Sequence, residues 1–109
     1  MTATLVQAKS FLWLLLDKKT SSVQKKALLL SANDNQCKAI DIVIQNSLKT
    51  DLPVKGSDKR KISKSRKILK KISNKALSKK KKKNLIKKYY KLILVVLLIM
   101  RELLERILV

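Results

Sequence analysis

The sequence predicts an all-α fold: a small N-terminal helical module, then a basic helix, then a long C-terminal helix with an apolar tail. Three observations carry that expectation. Apolar residues recur at spacings of three and four through much of the chain, and serine-led capping signals stand ahead of such runs. Glycine and proline occur once each, at Gly56 and Pro53, together at the point where composition turns from mixed to basic. The organisation read from this is a helical module over 1–51, a linker over 52–57, basic nucleic-acid-binding helices over 58–91 and an amphipathic tail over 92–109.

A first helix is expected near 4–18, around the run Phe11-Leu12-Trp13-Leu14-Leu15-Leu16. Ser21-Ser22-Val23-Gln24 reads as a capping box, with Ser21 as cap and Gln24 at the third helical position, and places a second helix at 22–32. Asn33-Asp34-Asn35 interrupts the pattern. Cys37, Ile40, Ile44 and Leu48 then share one face of a third helix over 35–49. The β-branched stretch Ile40-Asp41-Ile42-Val43-Ile44 leaves a short strand open there. The short connections make these helices antiparallel neighbours, with Trp13, Leu16, Leu28, Ile40 and Ile44 as core.

Beyond Gly56, Ser57 or Asp58 can cap a fourth helix on which Ile62, Leu69, Ile72 and Ala76 form a narrow apolar stripe. Arg60, Lys64, Lys67, Lys71 and Lys75 take much of the remaining surface. Ser78 can cap a last helix running from Lys79–Lys83 through Tyr89 and Tyr90 into the tail. There Val95, Ile99, Leu103 and Ile107 share a stripe, and Arg101 with Glu105 and Glu102 with Arg106 fall at i,i+4.

A chain of 109 residues has room for one small domain and a modest core. Its formal charge is +20, from 27 Lys and Arg against 7 Asp and Glu. The excess is local: residues 55–91 hold 18 basic groups and one acidic group, against 7 and 4 in residues 1–54 and two of each in 92–109. Such a segment repels itself and calls for a polyanionic partner. Lysine and arginine neutralise phosphate and release its counterions without reading sequence. Sixteen of the 18 are lysine, a point charge without the fork that reads guanine edges, and aromatic side chains for stacking on single-stranded bases are lacking between Lys55 and Lys88. Double-stranded DNA is therefore the expected partner. The residues expected to meet it are Lys59, Arg60, Lys61, Lys64, Arg66, Lys67, Lys70, Lys71, Lys75, Lys79, Lys80, Lys81, Lys82, Lys83, Lys87 and Lys88.

Other chemistries find little support. There is no histidine, and the single cysteine, Cys37, excludes an intrachain disulfide and the common Cys/His zinc sites, so no metal or other cofactor is expected. Cys37 reads as a small residue of an apolar helical face. Without a glycine-rich phosphate loop, and with carboxylates such as Asp17 and Asp41 standing singly, no enzyme is expected. The six-residue apolar run at 11–16 has one positive group upstream, Lys9, and no small-residue cleavage site after it, so it is not read as a signal peptide. The longest apolar run, Leu92 to Met100, is nine residues. That is about 14 Å of helix against a hydrocarbon core of about 30 Å. Leu92, Val95, Val96, Ile99, Leu103 and Ile107 are instead expected to dock on protein, to self-associate or to lie in a membrane interface.

The order Gln24-Lys25-Lys26-Ala27-Leu28-Leu29, then Leu52-Pro53-Val54, Lys59-Arg60-Lys61-Ile62, Lys70-Lys71-Ile72 and Leu77-Ser78-Lys79-Lys80-Lys81 resembles small basic proteins of adintoviruses and Polinton-like elements. Those proteins have been likened to the adenovirus core protein X, also called mu. The resemblance covers roughly residues 22–100. It departs where relatives place Gly-Gly before the apolar tail and this chain has Lys88-Tyr89-Tyr90. It implies a virion component that helps condense a double-stranded genome, with capsid or core proteins as further partners and the virion and host nucleus as location. Two other readings stand beside it. One is a membrane-active protein whose lysines meet anionic headgroups, and the other a helical interaction adaptor whose basic half serves localisation.

Overall fold

The computed structural model describes residues 2–49 and 56–108, and these form eight α-helices and no strand. They are α1 (Thr2–Gln7), α2 (Lys9–Leu16), α3 (Ser22–Leu30), α4 (Asp34–Ser47), α5 (Gly56–Lys64), α6 (Arg66–Ile72), α7 (Lys79–Ile99) and α8 (Arg101–Leu108).

Local chemistry sets three of the helix starts. Ser21 accepts from the Gln24 amide while the Gln24 side chain accepts from the Ser21 amide, which forms the expected capping box of α3. A second box starts α4, where Asn33 and Gln36 exchange the same pair of bonds at 2.8 and 3.0 Å. The triplet that interrupts the hydrophobic pattern is thus itself a helix start. Ser78 caps α7 by accepting from the Lys81 amide at 3.3 Å. Over Ile40–Ile44 the chain is helical: the capped start and the buried positions at 3.6-residue spacing outweigh β-branched propensity.

Three expected helices are divided. The first bends at Ala8, whose small buried side chain stands between α1 and α2. The fourth starts at Gly56, ahead of the residues expected to cap it, and ends with Ile72. It bends at Ser65, whose amide bonds the Ile62 carbonyl three residues back. Ile62, Leu69 and Ile72 are buried as the stripe requires, whereas Ala76 lies exposed in the connector to α7. The last helix breaks at Met100 and is non-helical at Tyr89 (φ −115°, ψ 26°), between its lysine-rich and apolar halves. Of the expected linker, Gly56 and Ser57 are the first residues of α5, and residues 52–55 lie outside the described residues.

One cluster of buried side chains runs from Leu5 to Leu108. Helix α7 lies against α2, α3 and α4, and α8 lies against α1. The tail is therefore core. Its buried face is Ile93, Val96, Leu97, Met100, Leu104 and Leu108. The row expected to meet a partner is the shoulder of that face: Val95 and Ile107 are exposed, Leu92, Ile99 and Leu103 are half-buried, and Val96 is wholly inside. Val96 is thus corrected from a contact residue to a core residue. No helix among the described residues is long and apolar enough to cross a membrane.

Candidate nucleic-acid interface

Lys59, Arg60, Lys61 and Lys64 project from α5, and Arg66, Lys67, Lys70 and Lys71 from α6. Lys75 stands in the connector, and Lys79, Lys80, Lys81, Lys83, Lys87 and Lys88 on α7. All of these are exposed, as is Lys91. Their helices bury one narrow stripe each, through Ile62, Leu69, Ile72 and Ile86, so the long cationic side chains stand on the outer faces. Arg66 also donates from Nη1 to the Leu48 carbonyl at 3.0 Å, which ties α6 to the end of α4.

Lys82 departs from the expectation. Its residue is 8% exposed. Its Nζ donates to Asp41 Oδ1 and, at 2.6 Å, to the Ile72 carbonyl at the end of α6. A charge so placed is spent inside the fold and is withdrawn from the surface available to phosphate. Asp41 is likewise no surface singleton. Burial pushes its carboxyl above the usual aspartate range, although the hydrogen bond and charge of Lys82, and the charge of Lys75, pull the other way. One side chain thus joins α4, α6 and α7. A second tie runs from Gln45 Nε2 to the Ser73 carbonyl at 3.2 Å.

The remaining carboxylates leave the basic surface largely uncompensated. Asp34 lies 3.0 Å from Lys79 with both groups exposed, while Glu102 and Glu105 pair with Arg106 and Arg101 at 3.3 and 3.0 Å, as their spacing anticipates. Lys79 is then the one exposed cation of residues 56–91 with a carboxylate within 4 Å among the described residues. The chain matches no family model, no curated protein and no solved structure.

The fold also adds cations that segment-by-segment reading left out. Lys26 of α3 stands 4.9 Å over the Tyr90 ring, as the already expected Lys88 stands 5.4 Å over Tyr89. Lys38 of α4 joins Lys75, Lys79 and Lys83 around a cleft of about 650 Å³, with the Lys82–Asp41 pair and Cys37 also in its wall. Cys37 is half-buried, its Sγ 3.8 Å from the Ala32 carbonyl, and burial raises its thiol pKa against the opposing charge of Lys82. That environment disfavours the thiolate. Lys38 had a signal in the sequence: it is one residue from Cys37 on a helix whose capping box, once recognised, begins at Asn33.

Proposed function

We propose that this chain is a non-enzymatic protein that binds nucleic acid through phosphate without reading sequence, that duplex DNA is its main partner, and that it condenses DNA as a core component of a DNA virus or virus-like element. The observation that carries this is the uncompensated cationic surface of α5, α6 and the first half of α7, mounted on a packed core and almost free of carboxylate partners. A fold alone has no use for that surface, since like charges on one side of a small domain oppose compaction. The predominance of lysine supports phosphate contact over base readout. The virion assignment rests on the resemblance to adintovirus and Polinton-like basic proteins. The half-exposed shoulder of Val95, Ile99, Leu103 and Ile107 offers surface for capsid or core proteins.

The molecule measures 33 × 30 × 27 Å, and one face spans about nine base pairs of duplex at about 3.4 Å each. Contact with about six to eight phosphates gives a log–log salt slope of about −5 to −7. Fluorescence anisotropy of random-sequence duplex across a salt series, with anionic liposomes in parallel, tests this. The expected result is that steep slope, little dependence on sequence and no salt-resistant liposome insertion. A slope near zero on DNA with strong, salt-resistant liposome binding would overturn the reading in favour of a membrane-active protein.

A further inference from the structure

The cleft between α4 and the start of α7 unites cations that lie far apart in the chain. Lys38 comes from α4, Lys75 from the connector after α6, and Lys79 and Lys83 from the first turns of α7. Its volume of about 650 Å³ lies in the range of small-ligand sites, and it is open to solvent. Part of its wall is apolar, through Ala32, Cys37 and Leu77. Lys82 and Asp41 also line it, and there the charge of Lys82 is taken up by Asp41 and the Ile72 carbonyl.

The charges at the mouth are not balanced in the same way. Lys38, Lys75 and Lys83 have no carboxylate against them among the described residues, and Lys83 Nζ donates only to the Leu30 carbonyl at 3.3 Å. Lys75 is near enough that its charge lowers the pKa of Asp41. Lys79 is held by Asp34, but that pair is solvent-exposed on both sides, and such pairs are worth about 0–1 kcal/mol. A phosphate can displace Asp34 at little cost and gain a fourth ammonium. The side chains carry this arrangement; the Gln36 amide of α4 and the Lys81 amide of α7 are already engaged by Asn33 and Ser78.

We infer that this cleft is a discrete phosphate-binding site, in which Lys38, Lys75 and Lys83 hold a phosphate-bearing ligand and Asp34 acts as an internal competitor for Lys79. It deepens the nucleic-acid reading, on which its role in DNA binding rests, by naming one place on the basic surface where a phosphate is seated rather than merely attracted. The same chemistry is offered by a backbone phosphate of bound DNA and by a free polyphosphate anion.

The test titrates the full chain with inorganic tripolyphosphate by calorimetry, comparing wild type, the double variant Lys38→Gln with Lys75→Gln, and the charge-matched double Lys61→Gln with Lys67→Gln, neither of whose positions lines the cleft. All four side chains are exposed, and melting temperatures check that the variants fold. One anion should bind per chain. The cleft double should weaken it by about tenfold or more, as loss of two charge-assisted contacts requires. The matched double should weaken it by less than about threefold. Asp34→Asn should tighten it. Equal weakening by the two doubles, or several equivalent anions per chain, would overturn the proposal and leave diffuse attraction. Random-sequence duplex titrated against the same variants separates the sources. A larger loss in the cleft double assigns the seat to a DNA phosphate, and equal losses on duplex alone assign it to a free anion. Wild-type protein that binds tripolyphosphate at the cleft but no duplex would sink the nucleic-acid reading while the cleft stands.

Discussion

Replacing Lys82 by methionine keeps a buried apolar stem and removes the ammonium that faces Asp41. The side chains of Lys82 and Asp41 are 10% and 14% exposed, so the carboxylate left behind is nearly out of water, and the Ile72 carbonyl loses a donor. Breaking one partner of such a pair costs about 3–5 kcal/mol. A chain of this size has about 5–15 kcal/mol in all, so the loss is about a fifth or more of its stability. The cost depends on pH, with a definite sign. Burial already raises Asp41 above its unfolded value near 3.9, and without Lys82 the folded-state pKa rises further. The folded state then binds the proton more tightly than the unfolded one. This carboxyl's contribution to stability is complete below about pH 4 and falls as pH rises through the folded-state pKa. Urea unfolding followed by far-UV circular dichroism should show Lys82→Met about 3 kcal/mol below wild type at pH 7 and nearer to it at pH 4. Adding Asp41→Asn should recover most of the loss at pH 7, because the uncompensated charge is gone. A single variant within about 1 kcal/mol of wild type, or a double no better than the single at pH 7, would refute the assignment of Lys82 to the fold.

Other substitutions separate core from surface. Leu97→Ala, at a fully buried position of the tail, should cost about 2–5 kcal/mol in the same assay, whereas Val95→Ala or Ile107→Ala should cost under about 1. Ser78→Ala removes the α7 cap and should cost about 1 kcal/mol, with hydrogen exchange accelerated first at Lys79–Lys81.

The all-α class was legible because it depends on local signals: periodicity, the Ser21 and Ser78 caps, and the confinement of Gly and Pro to one boundary. Helix breaks were not, since Ala8, Ser65 and Met100 carry no breaker and bend where the chain must turn its apolar face onto a neighbour. The tail was read for a partner-facing stripe at Val95, Ile99, Leu103 and Ile107, and the buried face beside it was not singled out. In a run as uniformly apolar as Leu92–Met100, several 3.6-period faces score alike, and packing into the common core selects the one through Ile93, Val96, Leu97 and Met100. Lys82 was hidden by composition, as one of five consecutive lysines. Yet spacings of four, seven, four and three from Lys82 lead through Ile86, Ile93 and Leu97 to Met100, so extending the buried stripe backwards points to it. Asp41 falls four residues after Cys37 and three before Ile44, on the stripe read for that helix. The cleft lay beyond sequence reading, because Lys38 and Lys75 meet only through tertiary packing.

A fold that concentrates cations should respond to salt in the opposite sense to the binding they serve. Two ammonium groups about 10 Å apart repel by about 0.4 kcal/mol in water, and folding brings together groups on α5, α6 and α7 that are remote in the open chain. A handful of such encounters opposes folding by about 1–2 kcal/mol at low ionic strength. The Debye length shortens from about 10 Å at 0.1 M to about 3 Å at 1 M, which removes most of that repulsion. The melting temperature of the free chain should therefore rise by about 4–8 °C for each kcal/mol relieved as sodium chloride is raised through this range. Over the same range duplex affinity should collapse, because counterion release is what drives it. Thermal melts by circular dichroism and anisotropy titrations on one protein preparation measure both. A melting temperature that falls or stays flat would mean that the lysine surface is not under mutual repulsion. The charge would then have to be attributed to compensated contacts within the fold and not to an interface awaiting phosphate.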